Sequence, residues 1–163
     1  MEFTGISLIV AALLCALVAG FLFAFAVVVM PGLKDLGDRE FLRAFQVVDR
    51  VIQRGQPLFM VVWVGSILAV VVVGLGSAQL EPLARLRIVA AALAYLIGVQ
   101  LPTMFINVPL NNRLQALDVD AMDGDARRAF REQFEPRWNR WNGIRTAVAT
   151  LVAALLLIEL FRL

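Results

Sequence analysis

The feature that most narrows the fold is the run from Ile6 to Met30, twenty-five residues without one charged side chain. About 20 predominantly apolar residues cross the hydrocarbon core of a bilayer as an α-helix, which satisfies its own backbone hydrogen bonds where no water is present. Leu58 to Gly76 repeats the pattern, and Ile88 to Val108 does so with Gln100, Thr103 and Asn107 embedded in it. A fourth run, Ile144 to Leu163, is weaker. Arg145 stands at its start and Glu159 near its end, so it should tilt little or be anchored by its flanks. Four spans, at about 6–30, 58–76, 88–108 and 144–163, are expected of one all-α membrane domain over residues 1–163, with three spans as the alternative count. Composition agrees, because a chain 61% apolar and 17% charged has too little polar surface to cover a water-soluble core of its size. The first run reads as a retained anchor and not a cleaved leader: only Glu2 among charged residues precedes it, and it is too long for a signal-peptide core.

Two of the connections between spans have structure of their own. In Lys34 to Gln56, Phe41, Phe45, Val48 and Ile52 recur at helical spacing, with Arg39, Arg43, Gln46, Arg50 and Gln53 assigned to the opposite face. The spacing predicts an amphipathic helix on the membrane or against the bundle. The connection Asn111 to Asn142 is polar; a helix is expected over Ala126 to Phe134, opened by Asp123 or Asp125 and stopped by Pro136. On the first span, Ala12, Ala16, Gly20 and Ala24 form a row of small residues expected to pack against another helix.

Lysine and arginine are distributed unevenly. Twelve lie in or beside the first and third connections, and only Arg85, Arg87 and Arg162 lie elsewhere. The bias predicts that connections one and three face the cytoplasm and that both termini face outward. In a bacterium this means a multi-pass protein of the inner (plasma) membrane.

Several function classes are disfavoured by composition. There is no histidine and one cysteine, Cys15, inside the first span, so ordinary haem, copper and paired-cysteine metal sites are not expected, and no cofactor is assigned. The arginines are interleaved with acids and not arrayed in a basic stripe, so no nucleic-acid partner is expected. The expected partner is the lipid bilayer; whether copies of the chain associate is left open.

Polar groups at membrane depth point to a partner, a cavity or a site. Gln100, Thr103, Asn107 and Asn111 are spaced three, four and four residues apart, which makes one polar stripe down the third span. Pro102 and Pro109 interrupt the hydrogen-bond ladder of that helix. Trp138, Asn142 and Arg145 continue the periodicity into the fourth span. If that span starts a helix, Arg145 lies near an N-terminus, where the macrodipole disfavours a cation; it must then snorkel or meet an acid or an anionic ligand. Trp138 and Trp141 read equally as interfacial anchors.

The stretch Thr103-Met-Phe-Ile-Asn-Val-Pro-Leu-Asn-Asn-Arg-Leu114, followed by Trp138-Asn-Arg-Trp-Asn-Gly-Ile-Arg-Thr146, resembles the signature of the anthrone oxygenase-like membrane family, also catalogued as domain of unknown function 1772. Gly20-Phe-Leu-Phe-Ala-Phe25, Val29-Met-Pro-Gly-Leu33 and a Gln46-containing amphipathic helix fit the same pattern. Some fungal members of that family are linked to oxidising anthrones to anthraquinones with molecular oxygen, without a recognised metal or flavin. Asn107, Asn111, Asn112, Trp138, Asn142, Arg145 and Thr146 match its motif, which carries no roles with it.

Two readings follow. In the first, the chain is a cofactor-independent oxygenase or oxidase acting on an anthrone- or quinol-type hydroaromatic. Asp49 is then the candidate base, unless it pairs with an arginine, and Asn107, Asn142 and Arg145 the donors to a developing oxyanion. Trp138, Gln46, Thr103, Asn111, Asn112 and Thr146 are assigned to substrate binding. In the second, it is a non-enzymatic module that binds lipid or a hydrophobic aromatic such as a quinone, or an accessory subunit of a membrane complex. A transporter is a third and weaker option, since one chain is too short for internal inverted repeats.

Overall fold

A computed structural model describes residues 2–162; of Glu2 only the backbone is described, and Leu163, the end of the expected fourth span, lies outside the described residues. Five helices follow in order: α1 (Phe3–Lys34), α2 (Asp38–Gln53), α3 (Pro57–Gln79), α4 (Pro82–Gln115) and α5 (Gly124–Phe161). No strand occurs among the described residues. All but α2 are long and apolar enough to cross a membrane, as the four uncharged runs predict. Leu68, Leu75, Phe105 and Leu151 leave most of their side chains exposed, as lipid-facing residues do.

Local chemistry places the helix ends. Pro57 and Pro82 each occupy a first helical position, where the missing N–H would have had no partner anyway. The Glu81 carboxylate accepts from the N–H groups of Leu83 and Ala84, and Asp123 accepts from that of Ala126. Gly55, at φ 74°, turns the chain out of α2 in the left-handed conformation that glycine adopts freely.

The main core is the seam of α1 with α5 and α3, where Leu8, Ala11, Cys15, Val18 and Leu22 meet Ala149, Val152 and Leu156. The expected row of small residues is not that seam. Ala12 is buried, but Ala16, Gly20 and Ala24 are exposed, and a Cβ on Gly20 would meet nothing within 4 Å. The larger apolar residues at the same helical spacing decide which face turns inward, because they bury more area. Close approach occurs instead at Gly98 of α4, where a Cβ would stand 2.9 Å from Val148 of α5.

Pro102 and Pro109 interrupt the regular ladder of α4, as expected, without ending the helix. Pro31, Pro102 and Pro109 each stand two residues after a wide turn: Phe25–Val29, Leu96–Gln100 and Thr103–Asn107. In these π-turns the bond runs five residues back, from Met30 to Phe25, Leu101 to Leu96 and Val108 to Thr103. The slack gives room for a ring that would strike the preceding turn of a regular helix. Pro136, expected as a stop, lies inside the unbroken α5. Both Pro136 and Glu132, whose carbonyl it leaves without an N–H, are on the exposed face, where water can serve instead.

The amphipathic helix α2 also has a different inward face from the expected one. Phe41, Leu42, Phe45, Gln46 and Asp49 are buried, whereas Val48 is 39% exposed. Polar Gln46 and Asp49 point inward because the end of α4 and the connection after it present polar partners to them, an arrangement that hydrophobic spacing does not register.

Ion pairs fasten both ends. Arg131 of α5 donates to the carbonyls of Lys34 and Leu36, pairs with Asp38 and Glu135, and stacks 4.2 Å over Phe41. Arg39 of α2 donates to Asp120 in the α4–α5 connection, and that hydrogen bond raises its pKa above the ordinary arginine value. At the other end Glu159, 3% exposed, receives Arg87 in a two-pronged contact at 2.6 and 3.0 Å and Arg162 at 3.3 Å.

Candidate functional site

A cavity of about 350 Å³ lies toward the arginine-rich end of the bundle, walled by α1, α2, α3, α4 and α5. Its apolar wall is a run of rings in contact: Trp63 stacks on Phe59 (centroids 5.3 Å, 22°), and Phe59 meets Phe21 at 5.2 Å. Phe21 meets Phe25 at 4.9 Å, Phe25 meets Trp138 at 5.6 Å, and Trp138 meets Phe45 edge-on at 5.3 Å. Such a wall favours a flat, polarisable ligand.

At the deep end stands Arg145, 3% exposed. Its Nη1 donates to Thr103 Oγ1 at 2.8 Å and its Nη2 to Asn142 Oδ1 at 3.0 Å, while the guanidinium carbon lies 6.0 Å from the Trp138 ring. It forms no salt bridge with a described carboxylate, and its Nε has no hydrogen-bond partner among the described residues. Asn107, 2% exposed, also leaves its Oδ1 unpartnered. Arg145 is therefore buried and meets no described acid, and because α5 begins at Gly124 it is mid-helix and not near an N-terminus.

Asp49 is placed at the shallow end, 5% exposed. Oδ1 accepts from Asn111 Nδ2 at 2.7 Å; Oδ2 accepts from Gln53 Nε2 and Gln115 Nε2, both at 2.9 Å. It pairs with no arginine. A carboxylate offers about four acceptor positions, so three amide donors fix its orientation and leave one position open. Asn111 in turn accepts from Trp138 Nε1 at 2.8 Å, which ties the carboxylate to the aromatic wall.

The cavity brings together Asp49, Thr103, Asn107, Asn111, Asn112, Trp138, Asn142 and Arg145. Gln46 and Thr146 do not line it. Gln46 donates to the carbonyls of Leu114 and Leu117, joining α2 to the end of α4, and Thr146 donates back to the Asn142 carbonyl within α5. Phe21, Phe25, Phe59, Trp63 and Gln53 line the cavity without having been singled out as site residues. For Phe21 and Phe25 a signal existed in the Gly20–Phe25 motif. For Phe59 and Trp63 none did, because an aromatic residue in an apolar run looks the same whether it faces lipid or a cavity.

A helical membrane protein with an aromatic cavity, a buried cation at one end and a carboxylate at the other is the class that fold and site define. Residues 49–155 match the anthrone oxygenase family, and the chain belongs to that family. No curated protein and no solved structure matches it.

Proposed function

We propose that this protein is a membrane-embedded oxygenase that oxidises an anthrone- or quinol-type hydroaromatic with molecular oxygen. The observation that carries the reading is the pair of separated charges: Arg145 without a carboxylate and Asp49 without a cation, across one aromatic cavity. A buried charge left unpaired is destabilising, so the arrangement is accounted for if a ligand completes it.

The arrangement of the two groups supports the substrate class: Thr103, which holds Arg145, and Asn111, which holds Asp49, are eight residues apart on α4 and line one cavity. An anthrone carries a carbonyl oxygen and an acidic CH₂ at opposite positions of its central ring, one for each group. Asp49 would take one proton from the CH₂, and the electron pair would delocalise onto the oxygen facing Arg145, whose guanidinium is held by Thr103 Oγ1 and Asn142 Oδ1. Stabilising such an oxyanion by preoriented donors is the largest effect available in a dry site.

The electron-rich carbanion then passes an electron to O₂, and the radical pair combines into a carbon-bound peroxide, protonated to the hydroperoxide. Loss of the remaining C–H proton with cleavage of the O–O bond leaves a new carbonyl and water. Overall, anthrone and O₂ give anthraquinone and H₂O. No metal or flavin is required in this scheme, and the cavity lining holds one carboxylate, no thiol and no histidine. The membrane setting extends the reading: connections one and three, which carry most of the arginines, would face the cytoplasm and the termini would face outward.

The test is aerobic turnover of an anthrone by purified protein in lipid nanodiscs, followed by oxygen uptake and quinone absorbance. Asp49→Asn and Arg145→Gln should each lower the rate above the uncatalysed background by about 10²-fold or more. A wild-type rate no higher than that of Arg145→Ala overturns the reading. Tight quinone binding without oxygen uptake would favour the binding-module alternative.

A further inference from the structure

We propose that the cavity is loaded from the bilayer through a lateral opening between α3 and α4, and that Gln53 closes its water-facing side while positioning Asp49. The inference rests on the ligand-binding reading of the cavity above, but not on its oxygenase chemistry.

Four of the lining residues are exposed, and they mark the mouth: Met60 and Val108, each 42% exposed, with Gln53 and Asn112. Met60 and Val108 lie within the apolar runs 58–76 and 88–108, so they stand at hydrocarbon depth. Gln53 and Asn112 lie outside those runs, at the level of headgroups and water. The mouth therefore straddles the membrane surface, with an apolar half and a polar half.

The two halves differ in closure. On the polar side Gln53 Nε2 donates to Asn112 Oδ1 at 3.0 Å, a bond that spans from α2 to α4. On the apolar side, α3 packs against the Pro82–Tyr95 half of α4, and Trp63 Nε1 donates to Gln100 Oε1 at 3.0 Å. Beyond that bond, toward the charged end, the cavity lies between the two helices. The open half thus faces acyl chains. A hydroaromatic of the proposed kind partitions into that region, and it would meet Phe59 and Trp63 directly inside the opening.

Gln53 has a second contact. The same Nε2 donates to Asp49 Oδ2 at 2.9 Å, so one amide both seals the polar side and holds the carboxylate. It is a positioning residue and need not touch the ligand. Its loss would admit water and leave Asp49 Oδ2 held by Gln115 alone.

The experiment reads quenching of tryptophan fluorescence in an otherwise wild-type Trp141→Phe background, since Trp63 and Trp138 line the cavity and the partly exposed Trp141 does not. Protein in phosphatidylcholine vesicles is mixed with 9,10-anthraquinone dissolved in the lipid, or with the membrane-impermeant anthraquinone-2-sulfonate added to water on both faces. Lipid-dissolved quinone should quench the wild type and the sulfonate should not. The double variant Met60→Phe, Val108→Phe should slow quenching by the lipid-dissolved quinone about tenfold or more, whereas Gln53→Ala should let the sulfonate in. Quenching of the wild type by the sulfonate as fast as by the lipid-dissolved quinone would overturn the proposal, as would unchanged loading in the double variant or no quenching by either probe. Loading by this route without oxygen uptake would overturn the oxygenase reading and leave the lateral opening standing.

Discussion

Arg145 is a cation placed where the bilayer and the protein core both disfavour one, and neutral Thr103 and Asn142 are what the fold supplies to hold it. Effective burial penalties for a charge run to several kcal/mol, which two hydrogen bonds to neutral acceptors offset only in part. Replacing it by an apolar side chain of similar length should therefore stabilise the empty protein. Arg145→Met is expected to raise stability by about 1–3 kcal/mol while abolishing turnover; thermal unfolding in detergent beside the anthrone assay checks both arms. A destabilised Arg145→Met protein would mean that the residue is structural. At this scale the polar half of the site was legible, since Asn107 and Arg145 lie within apolar runs and Trp138, Asn142 and Arg145 recur at helical spacing. The aromatic half was not, because Phe59 and Trp63 sit among apolar residues that lipid would accept equally well. Gln53 was hidden too: it reads as one more polar residue on the outer face of an amphipathic helix.

At the scale of elements, α4 carries the construction. It meets α5 closely at Gly98, inside the first of its wide turns, and Val148 opposite is β-branched and stiff. Gly98→Ala should cost about 1–3 kcal/mol by overpacking, with a Cβ at 2.9 Å from the Val148 side chain. Val148→Ala in the same chain should recover most of the loss, which a double-mutant cycle on thermal unfolding measures. The existence of all five helices was legible from hydrophobic runs and from the spacing of Phe41 and Phe45. Two details were not. Pro136 reads as a helix stop because pattern alone does not reveal that its missing bond faces solvent. The π-turns that accommodate Pro31, Pro102 and Pro109 leave no mark in composition.

Across the whole molecule the two ends do different work. The cavity and the Arg131 clamp occupy the arginine-rich end, and Glu159 with Arg87 and Arg162 closes the other. Glu159 lies fourteen residues beyond Arg145 on α5, a rise of about 21 Å. Arg87→Ala leaves the buried carboxylate with Arg162 alone and should lower the unfolding temperature. Turnover per folded molecule should not change, and comparing unfolding with active-site-normalised rate separates the two. Sidedness can be read with single cysteines, because native Cys15 is fully buried. A cysteine replacing Asp125 should react with an impermeant maleimide only after the membrane is opened, and one replacing Gln79 should react in intact cells. The reverse pattern would overturn the proposed orientation. The arginine bias that supports it was legible in sequence; the meeting of five helices at one cavity was not, since it depends on contacts between residues far apart in the chain.

The wide turns of α4 have a consequence for how the chain can change length. Thr103–Asn107 holds one residue more than a regular turn would, and Thr103, Asn107 and Asn111 all reach the cavity with that extra residue in place. With the wide turn in place, eight residue steps make about two full turns, so Thr103 and Asn111 share a face. Losing Phe105, which is exposed, would let the turn relax to ordinary pitch, and seven steps of about 100° again make about two turns. The residue that holds Arg145 and the residue that holds Asp49 would still face the same way. Gaining a residue there has no such outlet and would swing one end of the helix about 100° against the other. A one-codon insertion should thus be far more damaging to the site than the deletion of one codon.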